Sequence, residues 1–351
     1  MNIKRLCNAA EFENAGAWLT FRKGINEILH YRMHNMRKSQ NASQETLSSN
    51  YLPYVSVIIC TMNRNEQALE CVKSILNQPV NSHNYEVIVV NNTPKNNDLY
   101  AGIKKIWKTH ENYIGYINEP KKGISNARNA GANHARGEYL LFIDDDAVAD
   151  FYLLRSIRAT FEKYPKIGIV GGQISLYYEG EPPKILNEYT EKLWSAYTAE
   201  KRSLYTVRQQ YEFPFGACFG VRHTVFDKIG GFNERYGRVG DDYAGGEETL
   251  MCLEMLKNGY EVAIEPRAKV VHKVDISRFT EKHVRNTIKA GIFTTYKLSL
   301  DGYIPTKWTD NYIKTRIKIV KAEMKRLRLN DSDSVIKLCK ESEYDGLLEL
   351  L

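Results

Sequence analysis

Glu138-Tyr-Leu-Leu-Phe-Ile-Asp-Asp-Asp146 is an apolar run that ends in three consecutive aspartates. Tyr139 to Ile143 is short, continuous and preceded by Gly137, the pattern of a fully buried strand. Three adjacent carboxylates repel one another unless a cation or a set of donors compensates them. Two readings follow. Asp is a good N-cap, so the run can be a turn that opens the next helix. The other reading is a divalent-metal site that grips a diphosphate, because Mg2+ and Mn2+ prefer carboxylate oxygens.

The flanking sequence sets the fold around this strand. Val55-Ser-Val-Ile-Ile-Cys60 reads as a strand and Glu66 to Leu76 as a helix. Tyr85-Glu-Val-Ile-Val-Val90 is a second strand, ending in Asn91-Asn92-Thr93-Pro94. A helix over Leu99 to Thr109, a short strand over Tyr113 to Asn118 and a helix over Ser125 to Ala135 lead to the aspartate run. A helix from Asp150 to Tyr164 and a strand from Ile167 to Gln173 follow it. This alternation predicts an α/β fold with a mostly parallel sheet flanked by helices. Ligands of such sheets sit beyond the carboxyl ends of the strands. Thr61-Met-Asn-Arg64, Asn91-Asn92 and Asp144-Asp-Asp146 should therefore converge on one crevice.

Beyond Gly172 the pattern loosens. Residues 187–202, with Tyr189, Trp194 and Tyr197, are expected to form a helix. Phe213 to Arg222 reads as turn plus strand, Thr224 to Ile229 as a short helix, and 234–246 as a mobile, glycine- and charge-rich loop. Glu247 to Lys257 is an amphipathic helix, and Tyr260 to Ile264 is a strand leading to Pro266. Val270-Val271-His272 is a further short apolar run. Residues 1–52 read as a helical extension plus linker. From residue 276 the chain is expected to be helical and basic. There Ile313, Ile317, Val320, Met324 and Leu327 share a helix face, and Lys314, Lys318, Lys321, Lys325, Arg326 and Arg328 cover the others. That helix is either docked on the core or lies on anionic lipid.

Composition narrows the function classes. A hydrophobic fraction of 43% and a charged fraction of 26% are those of an ordinary globular protein. No stretch reaches the roughly 18 apolar residues of a membrane span, and the N-terminus lacks a signal-peptide core, so the expected compartment is the cytoplasm. The six cysteines are scattered without zinc spacing and read as reduced thiols. A net charge of +7 suits phosphate-bearing substrates or an anionic membrane. There is no G-x-G-x-x-G or G-x-x-x-x-G-K-[ST] motif, which removes most support for nicotinamide chemistry and ATP hydrolysis.

If the aspartates hold a metal, the reaction is one whose leaving group is a nucleotide. Thr61, Asn63, Arg64 and Asn91 offer donors for phosphate and base, although turn formation accounts for Asn and Thr equally well. Arg128, at the start of a helix, either meets an anion or pairs with a buried carboxylate. Gly245-Gly-Glu-Glu248 supplies the candidate general base, with complementation of the helix dipole as the alternative. His272 is a metal ligand or an ordinary packed histidine.

The ordered set resembles glycosyltransferase family 2. The motifs are Val55 to Arg64, Gly123-Ile-Ser-Asn-Ala-Arg-Asn-Ala-Gly131, Phe142 to Asp146, Gly230-Gly-Phe232, Gly246-Glu-Glu248 and Pro266-x-Ala-x-Val-x-His272. The resemblance spans about residues 53–275 and implies a GT-A (Rossmann-like) fold with helical N- and C-terminal extensions. It implies an inverting transfer of sugar from a nucleotide-sugar, most often a UDP-sugar, with Mn2+ or Mg2+. On this pattern residues 53–150 form the nucleotide half, 151–275 the acceptor half, and 276–351 a helical, basic extension. Asp144 and Asp146 match the D-x-D motif, Asp146 as metal ligand and Asp144 near the ribose, with Asp145 interposed. Thr61, Arg64 and Asn91 match nucleotide-pocket positions, and His272 a metal-ligating histidine. Glu247 and Glu248 match the Glu-Asp pair whose second acid is the base.

Two departures stand out: Asn91 replaces a common aspartate, and Glu248 replaces the usual Asp. The Gln-x-x-Arg-Trp motif of processive synthases is absent, which points to transfer of a single sugar. The expected partners are a nucleotide-sugar and a glycan or lipid-linked acceptor, as in surface polysaccharide or glycoconjugate synthesis, with no nucleic acid. Peripheral contact with the inner membrane face through the basic C-terminal helix is a further expectation. A metal-dependent nucleotidyltransferase and a non-catalytic sugar-nucleotide-binding scaffold are the competing readings. The former would need a glycine-rich phosphate loop that Thr61-Met-Asn-Arg64 is not.

Overall fold

The computed structural model describes residues 54–81, 84–93, 97–107, 114–238, 245–327 and 331–351. The N-terminal extension and linker expected over residues 1–52, and residues 239–244 of the expected loop, lie outside these. Strands β1 (Val55–Thr61), β2 (Tyr85–Asn91), β3 (Ile114–Asn118) and β4 (Tyr139–Asp144) alternate with helices α1 (Asn65–Leu76), α2 (Asn97–Trp107) and α3 (Ile124–His134). Then come β5 (Ala147–Ala149), α4 (Leu153–Lys163), β6 (Ile167–Tyr177), β7 (Tyr205–Val207), β8 (Phe219–Arg222), α5 (His223–Ile229), α6 (Glu247–Lys257) and β9 (Glu261–Lys273). Three helices close the chain: α7 (Glu281–Leu300), α8 (Asp310–Met324) and α9 (Asp331–Leu348).

The nine strands form one sheet in the order β3-β2-β1-β4-β8-β6-β9-β5, with β7 on the other half of β9. β1 pairs in parallel with both β2 and β4, and β6 in parallel with β9. β8, β5 and β7 pair with their neighbours antiparallel. The mostly parallel α/β expectation holds, and its reason is visible in the side chains. Helices on both faces bury β1, β2 and β4 almost throughout, so these strands are runs of Val, Ile, Leu and Phe without alternation. In β4, Leu140, Leu141, Phe142 and Ile143 are all but sealed from solvent. Each such side chain contributes about 1.5–3 kcal/mol. Packing therefore anchors the strand, and its acidic end is free to serve something else.

Register carries the site. Cys60 lies opposite Asp144, Thr61 opposite Asn91, and Asn91 opposite Asn118. The three polar strand ends thus meet along one edge of the sheet, as expected of its carboxyl side.

Two elements differ from the sequence reading. Residues 187–202 form no α-helix. They make a single 3-10 turn, Glu191–Trp194, ended by Ser195 in the left-handed region (φ 64°). Tyr197 then exchanges two 2.9 Å backbone hydrogen bonds with Ile174 of β6. Pairing with a sheet edge outcompetes the helical periodicity of this stretch. Second, Tyr260–Ile264 and Val270–His272 are not separate runs but one strand, β9. Its register against β6 jumps where Gly172 faces Glu265 and Gln173 faces Lys269. Pro266 sits in that irregularity, one of the few places a sheet accepts proline. Glu265 closes it through hydrogen bonds from the Arg267 backbone and guanidinium at 2.8–2.9 Å.

In the C-terminal helices, Ile313 and Val320 of α8 are buried, with Ile292 and Tyr296 of α7 and Tyr344 and Leu347 of α9 packed in the same cluster. The apolar stripe read from the sequence, Leu327 apart, is therefore used up inside a three-helix layer. Lys314, Lys318, Lys321, Lys325 and Arg326 remain exposed. Among the described residues no helix is long and apolar enough to cross a membrane.

Candidate active site

β4 delivers Asp144 at its last position, and the turn into β5 carries Asp145 and Asp146. β5 pairs with β9 so that Ala147 faces His272. That pairing brings one ligand atom each of Asp144, Asp146 and His272 within 4.8 Å of one another. His272 Nε2 lies 3.0 Å from Asp146 Oδ1, and the ring's other nitrogen, Nδ1, donates to the Trp194 carbonyl at 2.8 Å. A ring anchored in this way through one nitrogen presents the other as the ligand atom, as metal-binding histidines do. Two carboxylates and one imidazole nitrogen, from a strand end, the turn after it and the paired strand β9, fit a divalent cation.

Cations of the protein surround the same carboxylates. Arg64 pairs with Asp145 at 2.7 Å and also with Asp146, and Arg278 reaches Asp146 at 3.6 Å. Burial works against ionisation of Asp146, yet the His272 hydrogen bond and charge, with Arg64 and Arg278, hold its carboxyl down at about 2. Asp145 goes the other way. Burial pushes it up to about 7 despite Arg64, and the neighbouring Asp146 adds to the rise. Burial also pulls against the His272 cation, but Asp146 more than compensates and its pKa is raised. One aspartate is thus a committed anion and its neighbour is near the balance point. The helix-cap reading fails, because α4 begins only at Leu153 and its N-cap residue is Tyr152.

On the opposite side stands the second acidic pair. Glu247 and Glu248 open α6 after Gly246, whose φ of 97° is the left-handed conformation glycine adopts without strain. Arg128 of α3 lies between the two groups of acids. Its guanidinium is 3.0 Å from Glu247, 2.9 Å from Glu248 and 3.4 Å from Asp144. Both readings offered for Arg128 are compatible with this, since it pairs with a buried carboxylate and lines the site. Glu247 is almost fully buried (7% of its side chain exposed), whereas Glu248 keeps 21%. Burial and the Glu247 charge push the Glu248 carboxyl up to about 7, against the pull of Arg128. Gly216 abuts this ion pair, where any Cβ would lie 2.1 Å from both Arg128 Nη2 and Glu248 Oε1.

The Gly123–Gly131 motif has a structural logic. Ser125 bonds the Tyr236 carbonyl at 2.7 Å, and Asn129 exchanges two hydrogen bonds with Phe232. Helix α3 is thereby tied to the segment after Gly230-Gly231, which holds Arg128 in place. Thr61 is buried beside Asp145. Asn63 is exposed, has a left-handed backbone (φ 61°) and donates its N–H to Thr93. Asn91 engages both amide hydrogens locally, with the Thr93 carbonyl at 2.9 Å and Asn118 at 3.0 Å, and accepts from Thr93 N–H. In this geometry it acts first as a turn former.

Arg278 was not singled out from the sequence, and Asn92 and Trp194 were named there without the roles that the structure gives them. Asn92 fastens the loop before α3, bonding the Glu119 and Lys121 carbonyls and the Gly123 N–H at 2.8–2.9 Å. The sequence placed it only within the polar Asn91-Asn92 strand end expected at the crevice. Arg278 is remote in sequence and gave no signal. The five described cysteines are all free thiols, in keeping with the sequence reading.

The fold and this pair of facing acidic groups define a GT-A glycosyltransferase architecture. The family model "Glycosyl transferase family 2" matches residues 56–230, and the chain belongs to that family. It is 26% identical over 223 residues to the glucosyl-dolichyl phosphate glucuronosyltransferase of Haloferax volcanii, covering 63% of this chain and 69% of the relative. A second relative is the Methanococcus voltae dolichyl N-acetyl-α-D-glucosaminyl phosphate 3-β-D-2,3-diacetamido-2,3-dideoxy-β-D-glucuronosyltransferase. It is 24% identical over 244 residues, covering 68% of this chain and 72% of the relative. Among solved structures, the mannosyltransferase PcManGT from Pyrobaculum calidifontis, in complex with GDP-Man and Mn2+, superposes with a TM-score of 0.58. The identity is 16%, and the match covers 92% of this chain and 93% of that one.

Proposed function

We propose that this protein is an inverting glycosyltransferase. It moves one sugar from a nucleotide-sugar, a UDP-sugar in the first instance, to a hydroxyl of a glycan or lipid-linked acceptor in glycoconjugate or surface polysaccharide synthesis. The observation that carries the proposal is the place of Arg128, within 3.4 Å of Asp144 on one side and of Glu247 and Glu248 on the other. A candidate donor site and a candidate base thus share a single guanidinium.

In this reading Asp146 and His272 hold the cation, with Asp144 toward the ribose. The nitrogen in the ligand set favours Mn2+ over Mg2+, which prefers an all-oxygen shell. When bound, the cation stabilises negative charge on the departing diphosphate. Thr61, Asn63, Arg64 and Asn91 line the nucleotide side, where Arg64 can exchange its aspartates for phosphate oxygens. Glu248 is the base rather than Glu247, because it is the more exposed and its pKa lies near neutrality. It accepts the proton of the acceptor hydroxyl as that oxygen attacks the anomeric carbon. The carbon–oxygen bond to the diphosphate breaks on the opposite face, so configuration inverts.

Residues 53–150 then serve the donor and 151–275 the acceptor, with 276–351 as a basic helical extension. The two relatives whose names specify dolichyl phosphate substrates support a lipid-linked acceptor. The exposed lysines of α8 support a position on the cytoplasmic face of an anionic membrane.

The test is transfer from a panel of nucleotide-sugars to polyprenyl-phosphate-linked acceptors with Mn2+, with the product anomer read by NMR. Inverted product from one donor is expected, lost in Asp146→Ala and Glu248→Gln. Full transfer by both variants would overturn the proposal.

A further inference from the structure

Among the described residues Trp194 is the largest side chain with no solvent exposure, and it lies in a small cluster of its own with Val274, Val284 and Leu338, apart from the main core. Its ring is held between Phe279, 4.7 Å away, and His283 of α7, stacked at 5.2 Å and 17°. A buried tryptophan is ordinarily core, but its polar handles here are directed at the acidic cluster. The Trp194 carbonyl accepts from His272 Nδ1 at 2.8 Å, and its indole N–H donates to the Arg278 carbonyl at 3.3 Å. Among the described residues, His272 and Arg278 are two of the three side chains that form ion pairs with Asp146.

The backbone is shaped to the same end. A 3-10 turn leaves its last carbonyls without partners inside the turn. Ser195 reverses the chain directly after Trp194 in a left-handed conformation that is unfavourable for a non-glycine residue. The carbonyl of Trp194 is thereby left for His272. Helix α7 tightens the arrangement, since His283 Nε2 lies 3.3 Å from the Leu193 carbonyl and Thr280 caps the helix at the His283 N–H.

We propose that Trp194 is a positioning residue for the cation site. Its carbonyl selects the His272 tautomer whose Nε2 faces Asp146, its indole sets the backbone of Arg278, and α7 locks it in place. The C-terminal helices are then part of the site's support and not merely an appendage. This rests on the reading of His272 as a metal ligand.

The test titrates Mn2+ into the metal-free full-length protein by EPR, so that no turnover is needed. His272→Ala should lose tight binding. Trp194→Ala keeps the carbonyl but removes the ring that fixes its place, and should weaken binding about 10-fold, the low end of the effect of losing a partner that orients a ligand. Trp194→Phe, which keeps a ring in the stack, should stay within about threefold of wild type. Arg285→Ala removes the α7–α9 ion pairs with Glu341 and Asp345. It should lower the melting temperature and leave Mn2+ affinity unchanged. If Trp194→Ala does not fold, His283→Leu replaces it, with weakening of about 3- to 10-fold expected. In the Mg2+-loaded protein, 15N NMR should show His272 protonated at Nδ1, with an admixture of the other tautomer in Trp194→Ala. Wild-type affinity in Trp194→Ala, or in His283→Leu where it stands in, with loss in His272→Ala, overturns the positioning role alone. So does an Arg285→Ala loss equal to that of the tested variant. Wild-type affinity in His272→Ala overturns the ligand reading itself.

Discussion

Arg128 Nη1 lies 2.9 Å from Glu248 Oε1, and Glu247 approaches the same nitrogen at 3.0 Å. One guanidinium cannot fully neutralise the buried Glu247, the partly buried Glu248 and Asp144 as well. The deficit falls on Glu248, whose carboxyl is pushed up to about 7 by burial and by Glu247. Below that value it is protonated and cannot accept a proton, and above it the base is ready. We expect kcat/KM to rise with pH through an inflection near 7, measured with saturating metal, and Glu248→Gln to lower kcat at least 100-fold.

The same shift has a signed consequence for stability. The folded protein binds the Glu248 proton more tightly than the unfolded chain, whose glutamates titrate near 4.5. Stability is therefore lost as pH climbs from about 4.5 to 7. Glu248→Gln escapes that loss. Its melting temperature should exceed that of wild type by about 2–5 °C at pH 8 and match it at pH 5. An equal offset at both pH values would show that the buried charge is not the cause.

Gly216 offers a test of how tightly this ion pair is enclosed. A methyl group there would meet Arg128 and Glu248 at 2.1 Å, closer than atoms can approach. Both contacts are side-chain ends, so the ion pair can shift and the fold can survive. Gly216→Ala should retain its circular dichroism and lose transfer activity about 100-fold, since a misplacement of about 1 Å at a reacting group has that effect.

Much of this was legible in sequence because the parallel strands are buried on both faces, and unbroken apolar runs announce that. Asp144, Asp146 and His272 could be paired only through the family resemblance, as they are joined by the β5–β9 ladder across more than a hundred residues. Arg278 carried no local signal, and Trp194 was read within a helix whose place a 3-10 turn takes. The α8 stripe was ambiguous for a different reason. An amphipathic helix is written identically whether its partner is lipid or protein, and only α7 and α9 decide.

Arg64 links the acidic cluster to the stability of the metal-free protein. It pairs with Asp145 and Asp146, and Asp145 has no exposed surface on its side chain. Removing one partner of a buried pair leaves an uncompensated charge, at a cost of about 3–5 kcal/mol when both partners are buried. Arg64 is 44% exposed, so solvent screening reduces this to about 1–2 kcal/mol. Arg64→Met should therefore lower the melting temperature of the metal-free protein by a few degrees. A divalent cation would compensate the same aspartates, so Mn2+ should raise the melting temperature of the variant by more than it raises that of wild type. Equal Mn2+-induced shifts in the two proteins would mean that Arg64 and the cation do not share these carboxylates.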